Sequence, residues 1–160
     1  MIEKILAQVN FEIGQIDHLI ESYAVVLEKV QVVEPDLVEI TAVASVLHSF
    51  YNGLENIFLS IAKGVDSVVP SGPKWHRDLL TQMTNPTQSR RQVLTTETAQ
   101  LLTEYMGFRH FYRHSYSFTL DWSEMEGLAA SLGVVWNAAK SEVQAFLTDL
   151  ASNGEHNKVE

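Results

Sequence analysis

PDLVEITAVASVLHSFYNGLENIFLSI, residues 35–61, decides how the rest of the chain reads. Pro35 ends any helix arriving from the N-terminal side, because it has no N–H to donate and its ring clashes with the preceding turn. Asp36, with Glu39 three residues on, has the form of a capping box, in which each side chain satisfies a free backbone N–H of the other. Leu37, Ile40, Ala44, Leu47, Tyr51, Leu54, Phe58 and Ile61 then recur at intervals of three and four, the stripe of an amphipathic helix. This spacing predicts a long helix running to about Lys63.

Upstream, Ile5, Val9, Ile13, Ile16, Ile20, Tyr23 and Leu27 carry the same period and predict one helix from Ile2 to Val30. Downstream, Gly64, Pro70, Gly72 and Pro73 mark a loop, and a short helix is expected from Trp75 to Met83. Thr84 to Gln92 is polar and aperiodic, which predicts an exposed loop or mobile segment carrying Arg90 and Arg91. Helix resumes near Thr95 or Thr96, with Leu101, Tyr105, Phe108 and Tyr112 expected to face inward. Asp121 and Glu124 form a second capping-box pattern ahead of Met125, Leu128, Leu132, Val135, Ala139, Val143, Phe146 and Leu150. No segment alternates as a strand does. The fold class expected is all-α, an antiparallel bundle of four main helices plus a short one, with one domain over residues 1–152 and a frayed polar tail over 153–160.

At 160 residues and 46% hydrophobic, the chain is long enough for one real core and too short to expect two. No run reaches the ~18 to 20 apolar residues of a membrane span, and Met1-Ile2-Glu3-Lys4 begins an amphipathic pattern rather than a signal peptide. A cytoplasmic protein without membrane association is expected. The chain has no cysteine, which removes disulfides, thiolate catalysis and cysteine zinc sites together.

A net charge of −9 argues against binding along a nucleic-acid duplex, since phosphate contact rests on Lys and Arg. The charges are unevenly distributed, however. From Lys74 to His114 six basic residues face three acidic ones, a local balance of +3, while the remainder carries −12. A local cationic patch on an acidic body suits a site for one or a few phosphates.

That patch ends in Arg109-His110-Phe111-Tyr112-Arg113-His114-Ser115-Tyr116. Such a cluster can hold a phosphodiester, move protons on and off it, and offer a hydroxyl for modification. On an ideal helix Arg109 and Arg113 are one turn apart, as are His110 and His114, and Arg109 and Tyr116 nearly eclipse. Arg109 and His114 stand about 140° apart, so they share one phosphate only if the helix unwinds near His114 or two copies of the motif face each other. The bland alternative is a surface strip of an interface helix with Phe111 and Tyr112 in the core. A metal reading of His110 and His114 is weak, because no H-E-x-x-H glutamate and no third ligand stand nearby. Asn52, Glu55 and Asn56 share a polar face of the second helix and are candidates to line a cleft. Trp75-His76-Arg77 offers a stacking surface and a cation, with Trp75 expected in the core. His18, His48 and His156 read as ordinary structural or surface histidines.

Arg109, four residues, His114, one residue and Tyr116 form an R-x4-H-x-Y pattern, and in it the chain resembles the HepT-like toxins of the HEPN superfamily of helical ribonucleases. The layout of long helices, motif and final helix resembles them too. Two departures stand out: His110 takes a position where the superfamily often has Asn or Asp, and the chain is somewhat long. The resemblance implies a homodimer whose two motifs line one cleft, and RNA cleavage with neither metal nor cofactor. In that chemistry the ribose 2′-hydroxyl attacks the adjacent phosphorus, so a proton carrier and a cation are needed. His114 and Arg109 take these catalytic roles, with His110, Arg113, Asn52 and Asn56 in support. The resemblance also implies a type VII-like toxin–antitoxin pair, in which a minimal nucleotidyltransferase antitoxin attaches AMP to Tyr116. The alternative is a non-catalytic HEPN module that binds nucleotide or a nucleotidyltransferase.

Overall fold

In the computed structural model, which describes residues 1–156, the chain is all-helical, and no strand occurs among the described residues. Four main helices build the bundle: α1 (Ile2–Ser22), α3 (Leu37–Ile61), α5 (Thr96–Arg113) and α6 (Trp122–His156). Two short ones join them, α2 (Ala24–Lys29) and α4 (Trp75–Thr84). No described helix is long and apolar enough to cross a membrane.

The capping box that starts α3 is present: the Asp36 carboxylate accepts from Glu39 N–H at 2.8 Å, and Glu39 accepts from Asp36 N–H at 3.1 Å. Helix α3 is buried on more than the one expected stripe, since Val43, Val46, Phe50 and Ile57 are also fully enclosed. It packs against α1, α4, α5 and α6, so little of its circumference meets water. Leu37 projects past the bundle end and is exposed.

Pairings along the helices show the antiparallel order. Ile16 lies against Gly53 and Ile5 against Gly64, where an added Cβ would meet isoleucine carbons at 2.7 and 2.6 Å. The two glycines thus let α1 approach the α3 backbone closely. Asp17 of α1 accepts from Trp136 Nε1 (2.8 Å) and Lys140 Nζ (2.7 Å) of α6. Tyr105 of α5 donates to the Leu128 carbonyl of α6 at 2.7 Å, while Glu142, further along α6, accepts from Thr95 N–H and the Thr98 hydroxyl at the start of α5.

Several expectations are corrected. The single helix to Val30 breaks at Tyr23, which leaves the helical conformation at φ −108°, ψ 13°. Tyr23 is exposed, and the bend carries Val30, which lies off the expected stripe, into the core. In α5 Leu102 is buried and Leu101 exposed, one position from the expected register. Trp75 is only half-buried, stacked on the neighbouring His76 ring. Asp121 accepts from the Ser123 N–H and hydroxyl at 3.0 and 2.8 Å. Helix α6 continues past Ser152 to His156, so the first residues of the expected tail are helical, and residues 157–160 lie outside the described residues.

The segment after Thr84 is not simply a free loop. Residues 85–89 are exposed, but Arg90 is buried, and its five N–H groups find five acceptors. Nε and Nη2 grip the two oxygens of buried Asp66 at 2.6 and 2.8 Å. Nη1 donates to the Asn85 and Arg91 carbonyls, both at 3.0 Å, and Nη2 to the Gln82 carbonyl at 3.2 Å. Asp66 closes a π-helical turn, Ala62–Asp66, that extends α3. Arg90 therefore belongs to the scaffold and not to the cationic patch expected from the sequence.

Candidate functional site

Arg109 leaves α5 toward α3, and its side chain keeps 11% of its surface exposed. Nε donates to Asn52 Oδ1 at 2.5 Å, and Nη1 lies 3.3 Å from Glu55 Oε1. Asn52 and Glu55 are three residues apart, hence neighbours on one face of α3, and this spacing lets them hold one guanidinium together. Glu55 is itself buried, and such a carboxylate needs partners to stay charged. Its other oxygen, Oε2, lies 2.7 Å from His76 Nδ1 at the start of α4. At that distance from a carboxylate, Nδ1 carries the proton and donates it. The 3.3 Å approach of Arg109 Nη1 to the same nitrogen is then a contact of two donors, each satisfied by its own oxygen of Glu55.

A second chain of consequences runs through Asn52. Because its oxygen faces Arg109, its amide nitrogen faces His48, donating to Nε2 at 3.0 Å. His48 Nε2 is thus an acceptor, the ring is neutral, and its proton sits on Nδ1, which is buried without a hydrogen-bond partner. The His48 and Tyr112 rings lie 4.9 Å apart. Burial, then the positive charges of Arg109 and Arg113, hold the His48 pKa below its ordinary value. The folded chain therefore takes up this proton less readily than the unfolded chain, for which the ordinary value is 6.5. The stability contributed by neutral His48 is present above pH 6.5 and is lost as pH falls through the folded pKa. Urea unfolding on the acid side of neutrality is expected to give a shallower fall of stability with pH in His48→Gln than in the wild type. Identical slopes would dismiss this role.

Residues 110–113 of the octapeptide form the last turn of α5. Arg113 is its last residue and His114 its C-cap, with φ −111° and ψ 7°. His110, Arg113 and His114 are exposed, and the His110 and His114 rings lie edge to face at 5.0 Å. No described third His, Asp or Glu joins them as a metal-binding group. The hydrogen bond, ion pair and close polar contact of Arg109 go to Asn52, Glu55 and His76, not to His114. Tyr116 lies beyond the helix, so it does not share Arg109's helical face. It is 74% exposed and stacks on exposed Phe118 at 5.5 Å.

Of the residues singled out in sequence, the fold brings Arg109 and Asn52 together. Asn56 instead faces α1, with its amide 3.5 Å from Glu12 Oε1. His114, His110 and Arg113 cluster at the neighbouring helix end. Glu55, a cleft-lining candidate in sequence, proves to be the hub. His48, an ordinary histidine in sequence, is a member of the network. His76 stands out in sequence only within Trp75-His76-Arg77, read there as a stacking surface and a cation. Its signal is the pairing of a histidine at a helix start with a carboxylate on a helix otherwise apolar inside.

The family model described as HepT-like protein matches residues 42–150, more than half of the chain. No curated protein and no solved structure matches it.

Proposed function

The chain belongs to the HepT-like family, and from that premise we propose that it is a metal-independent endoribonuclease, the toxin of a type VII-like pair. The observation that carries the reading is the Arg109 guanidinium, fixed by Asn52 and Glu55 on the arginine of the R-x4-H-x-Y pattern. A cation held in place before substrate arrives stabilises developing phosphorane charge without reorganising. Its Nη2 takes no part in the bonds to Asn52 and Glu55 and is the group offered to a phosphate oxygen. His114, exposed at the helix end, supplies an imidazole as the proton carrier. His110 and Arg113 add cationic character beside it.

Because no hydrogen bond or ion pair joins Arg109 to His114 in one chain, the reading includes a homodimer in which two motifs line one cleft. Light scattering at micromolar concentration is expected to report twice the 18.0 kDa monomer mass. A monomer that cleaves RNA would contradict this arrangement.

The proposed partner is a minimal nucleotidyltransferase that inactivates the toxin by transferring AMP to Tyr116. The exposure of the Tyr116 ring supports this, whereas Tyr105 is buried with its hydroxyl bonded to Leu128. An adenylyl group adds a phosphodiester charge beside the cationic helix end and competes with RNA. Co-expression with the transferase is expected to add AMP mass to a Tyr116 peptide, and Tyr116→Phe to abolish it. Adducts confined to another residue would refute the assignment.

One observation favours the non-catalytic alternative: Glu55 already neutralises Arg109 inside the chain. The deciding experiment is cleavage of total RNA by purified protein with EDTA present. Cleavage lost in His114→Ala supports the enzyme; inert wild-type protein that still binds nucleotide or the transferase supports the module.

A further inference from the structure

We propose that His76 is a second proton carrier of the RNA-cleaving site, the base that acts beside Arg109 within one protomer; this rests on the endoribonuclease reading above. The geometry separates the histidines. His48 has its Nε2 occupied by Asn52 and its Nδ1 buried, so it has no nitrogen to offer a substrate. His110 and His114 stand at the exposed end of α5, and the hydrogen bonds of Arg109 go to neither. His76 does: its Nδ1 lies 3.3 Å from Arg109 Nη1.

Its protonation pattern suits a base. Nδ1–H donates to Glu55 Oε2 at 2.7 Å, which fixes the tautomer and leaves the Nε2 lone pair free, on a side chain 27% exposed. A carboxylate behind an imidazole orients the ring and stabilises the imidazolium that forms. The Trp75 ring, stacked at 3.6 Å, holds the same ring from its face. Charged groups from two other helices meet His76, Glu55 from α3 and Arg109 from α5.

In the cleavage step His76 Nε2 takes the proton of the ribose 2′-hydroxyl as the O2′–P bond forms. The P–O5′ bond breaks, and the departing 5′-oxygen takes a proton from His114 of the second copy. The products are a 2′,3′-cyclic phosphate and a 5′-hydroxyl end.

The test measures cleavage of an oligoribonucleotide in EDTA across pH for wild type, Arg109→Ala, His76→Ala and His76→Gln, with and without added imidazole. Glutamine keeps an N–H for Glu55 but cannot titrate, so it guards against mere loss of folding. Expected for both His76 variants is a fall in kcat of roughly 100-fold or more. The wild-type increase in rate with pH that reports the base should be absent, and imidazole should restore activity to His76→Ala but not to Arg109→Ala. Wild-type cleavage that depends on Arg109 while the His76 variants keep both rate and pH profile would overturn this inference and leave the ribonuclease reading intact. Loss without imidazole rescue, with the pH profile unchanged, would also overturn it by showing a structural role. Wild-type protein that cleaves no RNA would overturn both.

Discussion

Replacing Arg109 by alanine is expected to lower RNA cleavage by roughly 100-fold or more, the scale seen when one preorganised donor to a developing oxyanion is removed. The size follows from how the side chain is held. Asn52 and Glu55 fix the guanidinium before substrate arrives, so in the proposed cleavage its contribution would be fully present when charge builds on the phosphoryl oxygens. Arg109→Lys is expected to lose nearly as much. A lysine ammonium keeps the charge, but it cannot place planar donors on Asn52, Glu55 and a phosphate together. The alanine variant also leaves Glu55 buried with His76 as its remaining partner, so its thermal unfolding must be followed beside its activity. Either variant cleaving as fast as wild type, while folded, would remove Arg109 from the chemistry.

The second large effect lies away from the site. Asp66→Ala should destabilise the chain by about 3–5 kcal/mol, because it strands the Arg90 guanidinium without the carboxylate that neutralises it in the interior. For a chain of this length that corresponds to a fall in Tm on the order of 10 °C. Arg90→Met, which removes the charge and fills similar volume, leaves Asp66 with Gln82 alone, which donates at 2.7 Å, and is expected to destabilise comparably. The double variant Asp66→Ala with Arg90→Met should recover part of the loss, since neither charge is then left unpaired. Thermal unfolding by circular dichroism measures all three. Single variants that melt with the wild type would mean that the pair does not hold the loop to the end of α3.

The two effects are separable because the groups meet the chain at different places along α3 and the turn that follows it. Arg109 meets α3 at Asn52 and Glu55, whereas Asp66 closes the turn after Ile61. The scaffold pair is saturated, with every Arg90 donor used. The Arg109 guanidinium keeps a donor free, and that difference is what distinguishes an arginine built to stabilise from one able to receive a ligand.

Helical period, chain punctuation and the motif can be read locally. All eight apolar positions expected along α6 are buried, and the Asp36–Glu39 box forms, because both depend on residues within a turn or two of each other. The octapeptide is visible for the same reason. Where an element's environment comes from other helices, the sequence is silent or off by one. Leu101 and Leu102 are adjacent apolar residues, and only the packing of α5 in the bundle decides which is enclosed. Arg90 stands in a polar stretch that looks exposed, and its burial needs Asp66, 24 residues earlier. Glu55, His76 and Arg109 belong to three helices, with 21 and 33 residues separating His76 from its two neighbours. No periodicity registers such a meeting. The sequence by itself determined an all-helical bundle and the end of the helix where its phosphate chemistry is sought. Only the tertiary structure decided which carboxylate holds Arg109, which histidine stands beside it and which arginine is structural, because desolvation and charge pairing act through space.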